Sequence, residues 1–162
     1  MKLFRYIAVT MMLTASPTQA HHGWGFYATD RPIYLSGKIT AVVWRNPHPE
    51  IVIDVTSASV PGSFARLPVP PELRELGFDD VLAKTAAPET TGEWTLDLAP
   101  INRLMSWGMP REPKVGDEIQ AVAFPSCSEK NVSRPALIVI DGIGVRQQSV
   151  ALPAGCSGRP RG

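Results

Sequence analysis

Histidine and cysteine are scarce in this chain, at three and two residues respectively. Charge of neither sign dominates. The 16 Lys and Arg are matched by 15 Asp and Glu, and no basic stripe runs along the sequence, so nucleic-acid binding has no electrostatic footing. After residue 20 no apolar run is long enough to cross a bilayer as a helix. No Gly-x-Ser-x-Gly elbow is present, which removes that serine-hydrolase arrangement. No glycine-rich loop is placed to hold phosphate, and the acids Asp79-Asp80 have no histidine near them in sequence. Proline, in contrast, is plentiful at 16 residues, which points to a loop-rich chain of short elements.

Residues 1–20 read as a removable leader. Lys2 and Arg5 make a basic start, residues 7–15 are an apolar run too short to span a membrane, and residues 16–20 place Thr18 and Ala20 where a signal peptidase inspects. Export to the periplasm, or out of the cell, is expected. Cleavage after Ala20 makes His21 the first residue of a mature chain with the size of one domain. Without Lys2 and Arg5, 14 basic residues face 15 acidic ones, so the mature protein is near neutral.

An even count of cysteines in an exported chain favours a disulfide, Cys127 to Cys156. The loop it closes, about thirty residues, is worth roughly 3–4 kcal/mol on the chain-entropy account. Zinc thiolates are usually spaced far more closely, as Cys-x-x-Cys, so the structural bridge is the better interpretation. It pins a C-terminal end whose last residues, 158–162, read as a flexible tail.

Alternating apolar residues predict the strands. The clearest is 33–44, where Leu35, Gly37, Ile39, Ala41 and Val43 alternate with Ser36, Lys38, Thr40 and Val42. Gly37 inside it predicts a bulge or a sharp bend. Asn46-Pro47-His48-Pro49 is a turn, because two prolines forbid a helix there, and 50–56 is the return strand. His48 is thus expected at a hairpin tip. Residues 57–92 form an insertion with two short helical pieces, one started by Pro70-Pro71 and stopped by Gly77, the other at 79–84. Strand character returns at 93–98 with Trp94, Leu96 and Leu98 inward. A short helix follows at 101–107, ended by Gly108 and Pro110. Further strands are expected at 118–124 and 136–140, with 125–135 a loop between them. Asp141-Gly142 is a hairpin turn signal and 145–152 holds a last short strand. Five or six short strands with one helix between the third and fourth describe a mainly β chain. The expected fold is a small OB-like β-barrel spanning 21–157, with a partly helical insertion.

Several motifs recur together: His21-His22-Gly23-Trp24 directly after the leader, Leu35-Ser36-Gly37, Trp44-Arg45-Asn46-Pro47-His48, Trp94, Arg103-Leu104, Trp107-Gly108 and Val115-Gly116-Asp117. In combination they resemble a family of small exported bacterial proteins classed as a domain of unknown function. Members begin His-His-Ser/Gly after the signal and carry Trp-x-Asn-Pro-His. The resemblance covers most of the mature chain outside 57–92 and the cysteine-bearing tail. It implies a periplasmic location and a β-rich fold, and it supplies no activity.

His21, His22 and His48 all lie in these motifs. The α-amine and Nδ1 of an N-terminal His21 can chelate one metal ion. A third nitrogen from His48, or less simply from His22, completes a histidine brace, a set that suits Cu(II). Amine, the His22 backbone amide and the His22 ring form a different chelate. The bland alternative is a solvated terminal pair and a tip histidine that only bonds its own turn. Met105 and Met109 offer thioethers to Cu(I), but gap-filling in a core accounts better for them. Trp24 and Trp44 flank the histidines as possible walls of a site. The expected function is that of a periplasmic metal-binding or accessory protein, with copper the expected ion and catalysis less expected than binding. The rivals are a metal-free envelope module that docks a protein partner and a small copper-dependent oxidoreductase.

Overall fold

The computed structural model describes residues 23–157. Its strands are β1 (Ile33–Val43), β2 (Glu50–Val55), β3 (Gly92–Asp97), β4 (Glu118–Pro125), β5 (Val132–Ile140) and β6 (Ile143–Arg146). The α-helices are α1 (Pro71–Arg74), α2 (Phe78–Lys84) and α3 (Ile101–Ser106). β1 pairs antiparallel with β2 and with β4, β2 with β3, and β4 with β5. A short parallel pairing of β3 with β5 closes the circuit. The result is a closed five-stranded barrel with β6 added on β5 and α3 between β3 and β4, the expected OB-like arrangement. Among the described residues no helix is long and apolar enough to cross a membrane.

β1 serves two partners because it bends. Its first half pairs with β4, its second with β2. At Gly37 the carbonyl oxygen of Asp54 comes so close that a Cβ would collide with it, the close backbone approach that an interior strand glycine allows. The register then shifts between Ile39 and Ala41. One extra residue exchanges the two faces of a strand. The simple alternation read from the sequence therefore fails beyond Thr40: Val42 packs on the core while Val43 is exposed.

Two apolar layers result. The barrel interior holds Leu35, Ile39, Ile51, Ile53, Leu96, Ile119 and Ile138, with Leu104 of α3 in the same cluster. A second layer lies on the outer face of β4 and β5, where Val122, Phe124, Leu137 and Val139 alternate with the inward Ala121, Ala123, Ile138 and Ile140. Leu73 of α1 and Phe78 of α2 cover that outer face together with Tyr27. The insertion thus stands outside the barrel but is part of its packing. Its Ala86 also bridges to Ile33, and a Cβ at Gly144 of β6 would strike the Pro68 carbonyl. Burial of a Leu or Phe side chain contributes about 1.5–3 kcal/mol, so the insertion is a substantial stabiliser.

Two boundaries differ from expectation by more than two residues. β5 begins at Val132, inside the segment read as a loop. Pro135 argues against a strand, but it sits at a register shift against Val122 and Ala123, where a missing N–H is tolerated. β6 ends at Arg146 rather than continuing toward 152. Gln147 is buried and turns to other work: its N–H donates to the Ala136 carbonyl, and its Oε1 accepts from Ala99 N at 3.0 Å. Asp141 and Gly142 make the expected turn, both at positive φ (53° and 73°), as a type I′ hairpin requires.

Candidate functional site

His48 lies in the β1–β2 turn, and both sides of that turn are tied down. Asn46 Oδ1 accepts from Ile101 N at 3.0 Å and so caps the first turn of α3. On the other side Leu98 N donates to the Pro49 carbonyl at 2.9 Å. These bonds set His48 beside the end of β3. Its side chain is 27% exposed, its Nδ1 is buried, and Nδ1 stands 4.0 Å from Oδ1 of Asp97. The tip histidine is therefore half-inserted rather than waving in solvent. His21 and His22 lie outside the described residues.

Asp97 is the centre of a buried polar cluster that the sequence did not disclose. Its Oδ2 accepts from the Tyr27 hydroxyl at 2.8 Å and stands 3.3 Å from Arg134 Nη1. The guanidinium of Arg134 lies over the ring of Trp24 at 4.9 Å and that of Tyr27 at 5.8 Å. Trp24 in turn meets Phe124 edge-on. Burial, reinforced by the adjacent Asp97 carboxylate, pushes the Tyr27 phenol well above its ordinary range. Asp97 alternates with the inward Leu96 and Leu98, so its place on the strand predicts solvent. The chain around Trp24 and Tyr27 covers it instead.

That covering segment is held by the disulfide region. Cys127 and Cys156 are bonded, with Cα atoms 5.7 Å apart. Their backbone N–H groups donate to consecutive carbonyls, Cys127 to Phe26 at 3.0 Å and Cys156 to Tyr27 at 3.2 Å. Ala28 N donates to the Pro125 carbonyl and Thr29 Oγ1 to the Pro153 carbonyl. The bridge thus does more than pin the tail: it frames the strand of chain that carries Tyr27 to Asp97.

A cleft of about 520 Å³ opens beside the cluster. Phe26 and Tyr27 form part of its wall, and Glu50, Asp97 and Glu129 bring carboxylates to it. Among the described residues no three His, Cys, Asp or Glu side chains group closely enough to hold a metal ion. Of the two possible wall residues, Trp24 packs on Arg134 and the outer layer, while Trp44 is partly buried against the barrel core. Met105 is 49% exposed and Met109 is buried in the core, so the two thioethers do not share a face.

Residues 9–63 match the model of a family of unknown function (DUF6152), in agreement with the resemblance read from the sequence. The matched span includes both histidine motifs and ends before Trp94 and the later ones. No curated protein and no solved structure matches the chain.

Proposed function

We propose that the exported protein binds a transition metal, copper above all, as a periplasmic binding or accessory protein, with His21 and His48 as ligands and His22 as a possible further one. The supporting observation is the placement of His48 against Asp97. The ring is held half-buried at the end of β3 with Nδ1 on the side of that carboxylate, which limits the side-chain freedom the imidazole gives up when it takes a metal. Arg134 and Tyr27 hold the carboxylate still. Trp24 rests on the same Arg134, and His22 and His21 are the second and third residues before it in the chain. Amine and Nδ1 of His21 supply two nitrogens from one residue, which limits the conformational entropy lost on binding.

Calorimetry and EPR with Cu(II) on the correctly processed protein test this. His48→Ala weakens binding and changes the copper spectrum. One extra residue ahead of His21 weakens it more, since it turns the chelating amine into an amide. Acid releases the metal as amine and imidazoles take up protons, with reference values of about 7.7–8.0 and 6.5. No copper uptake, or equal binding by the extended chain, overturns the proposal and favours the metal-free module.

A further inference from the structure

After β6 ends at Arg146 the described chain forms no further helix or strand. Residues 149–157 run instead as a strap along the chain from Tyr27 to Asp30. Ser149, Val150, Ala151, Pro153 and Ala154 are exposed, and from the strap Leu152 packs on the outer apolar layer. At the root Gln148 Nε2 donates to the Val150 carbonyl at 3.3 Å. Beyond it, among the described residues, two hydrogen bonds hold the strap. Thr29 Oγ1 donates to the Pro153 carbonyl at 2.7 Å, and Cys156 N–H donates to the Tyr27 carbonyl at 3.2 Å. A segment with so few buried contacts belongs at the low end of local stability, and the Cys127–Cys156 bond is the covalent tie at its far end. Cys156 itself sits at φ 55°, a left-handed conformation that persists only while its surroundings impose it. Both half-cystines are partly exposed, which gives an attacking thiol access to the bridge. The chain beneath the strap keeps anchors of its own. Ala28 N donates to the Pro125 carbonyl at 2.8 Å, Cys127 N to that of Phe26, and the Tyr27 hydroxyl to Asp97.

We infer that the Cys127–Cys156 bridge is a redox switch: its reduction by a dithiol frees the strap 149–157 and leaves the barrel folded. One thiolate of the dithiol attacks a bridge sulfur and expels the other cysteine as a thiolate. The second thiolate then displaces the attacked cysteine. Cys127 and Cys156 take up the two protons and end as thiols, and the dithiol, oxidised by two electrons, closes into a cyclic disulfide. Release uncovers the Tyr27 carbonyl and the seat of Leu152 on the outer layer. It also leaves a thiol at Cys127 between Ser126 and Ser128, which line the cleft beside Asp97, so the state of the bridge reaches that cleft. The inference needs no metal, and its test uses metal-free protein. Elastase, which cuts after small apolar residues, is applied to three forms. These are the oxidised protein, protein reduced with dithiothreitol and capped with iodoacetamide, and the variant Cys127→Ser/Cys156→Ser. Mass spectrometry reads the cut sites. The capped and serine forms are cut after Val150, Ala151 or Ala154 at least about tenfold faster than the oxidised form, since cleavage follows the population of the opened strap. The far-ultraviolet dichroism of the barrel is unchanged in both. Equal cutting of all three forms, cutting within β1 to β5 with loss of the dichroism, or acceleration confined to the capped form overturns the inference.

Discussion

Replacing Arg134 by Met keeps the apolar stem against Trp24 and removes the charge. The Arg134 and Asp97 side chains are 11% and 8% exposed, so the pair is close to fully desolvated. Removing one member of such a pair leaves a bare buried charge and costs about 3–5 kcal/mol. Asp97 then retains the Tyr27 hydroxyl, worth roughly 1.5–3 kcal/mol as a bond to a charged acceptor, which places Arg134→Met near the lower end of that range. Asp97→Asn leaves Arg134 over two aromatic rings, contacts worth about 0.5–2 kcal/mol, and so costs less than Arg134→Met. The double variant buries no bare charge, and neutral replacement of a desolvated pair is often neutral or stabilising, so it costs no more than Asp97→Asn alone. The coupling between the two sites is thus expected to exceed about 2 kcal/mol, far above the additivity error of roughly 0.5 kcal/mol. Urea unfolding with the disulfide intact, followed by tryptophan fluorescence and far-ultraviolet dichroism together, measures all four proteins. At about 2–4 °C per kcal/mol for a chain of this size, Arg134→Met also lowers the melting temperature by roughly 6–12 °C. A double variant that loses the sum of the two single losses refutes the view that desolvated charge, rather than packing, governs this cluster.

Two further outcomes follow from the same geometry. Tyr27 keeps its proton in the folded state, while in the unfolded chain a tyrosine ionises near pH 10, so the native state binds more protons above that value. Stability from this group is complete below pH 10 and falls above it, by up to about 1.4 kcal/mol per pH unit. Tyr27→Phe removes that alkaline slope and leaves the phenolate absorbance curve of the folded protein unchanged; a folded-state step that vanishes in the variant contradicts it. Phe78→Ala empties a fully buried position between insertion and barrel and is expected to cost about 3–5 kcal/mol. A loss below about 1 kcal/mol in urea unfolding shows instead that the insertion packs loosely on β4 and β5.

Local spacing was enough for much of the architecture. Period-2 runs marked β1 to β4, Gly108 and Pro110 ended α3, and Asp141-Gly142 announced its own turn, because each depends on neighbours a few residues away. The cysteine pairing was equally legible, since two cysteines admit one bridge. The position of a helix between the third and fourth strands was enough to suggest the barrel.

What lay beyond the sequence was decided by contacts between distant segments. Tyr27 and Asp97 are 70 positions apart, and no local pattern says that an outward aspartate on β3 will be covered by the chain near the start. The phase change at Thr40 depends on the bend that lets β1 pair with two strands at once. Arg134 sits in a segment whose proline disguised a strand, and that strand becomes possible only at a bulge against β4. Sequence alone therefore determined which residues alternate, turn and bridge, since those are short-range steric and hydrogen-bonding preferences. Only the closed barrel, by bringing remote segments over its outer face, decided which polar groups are buried and paired.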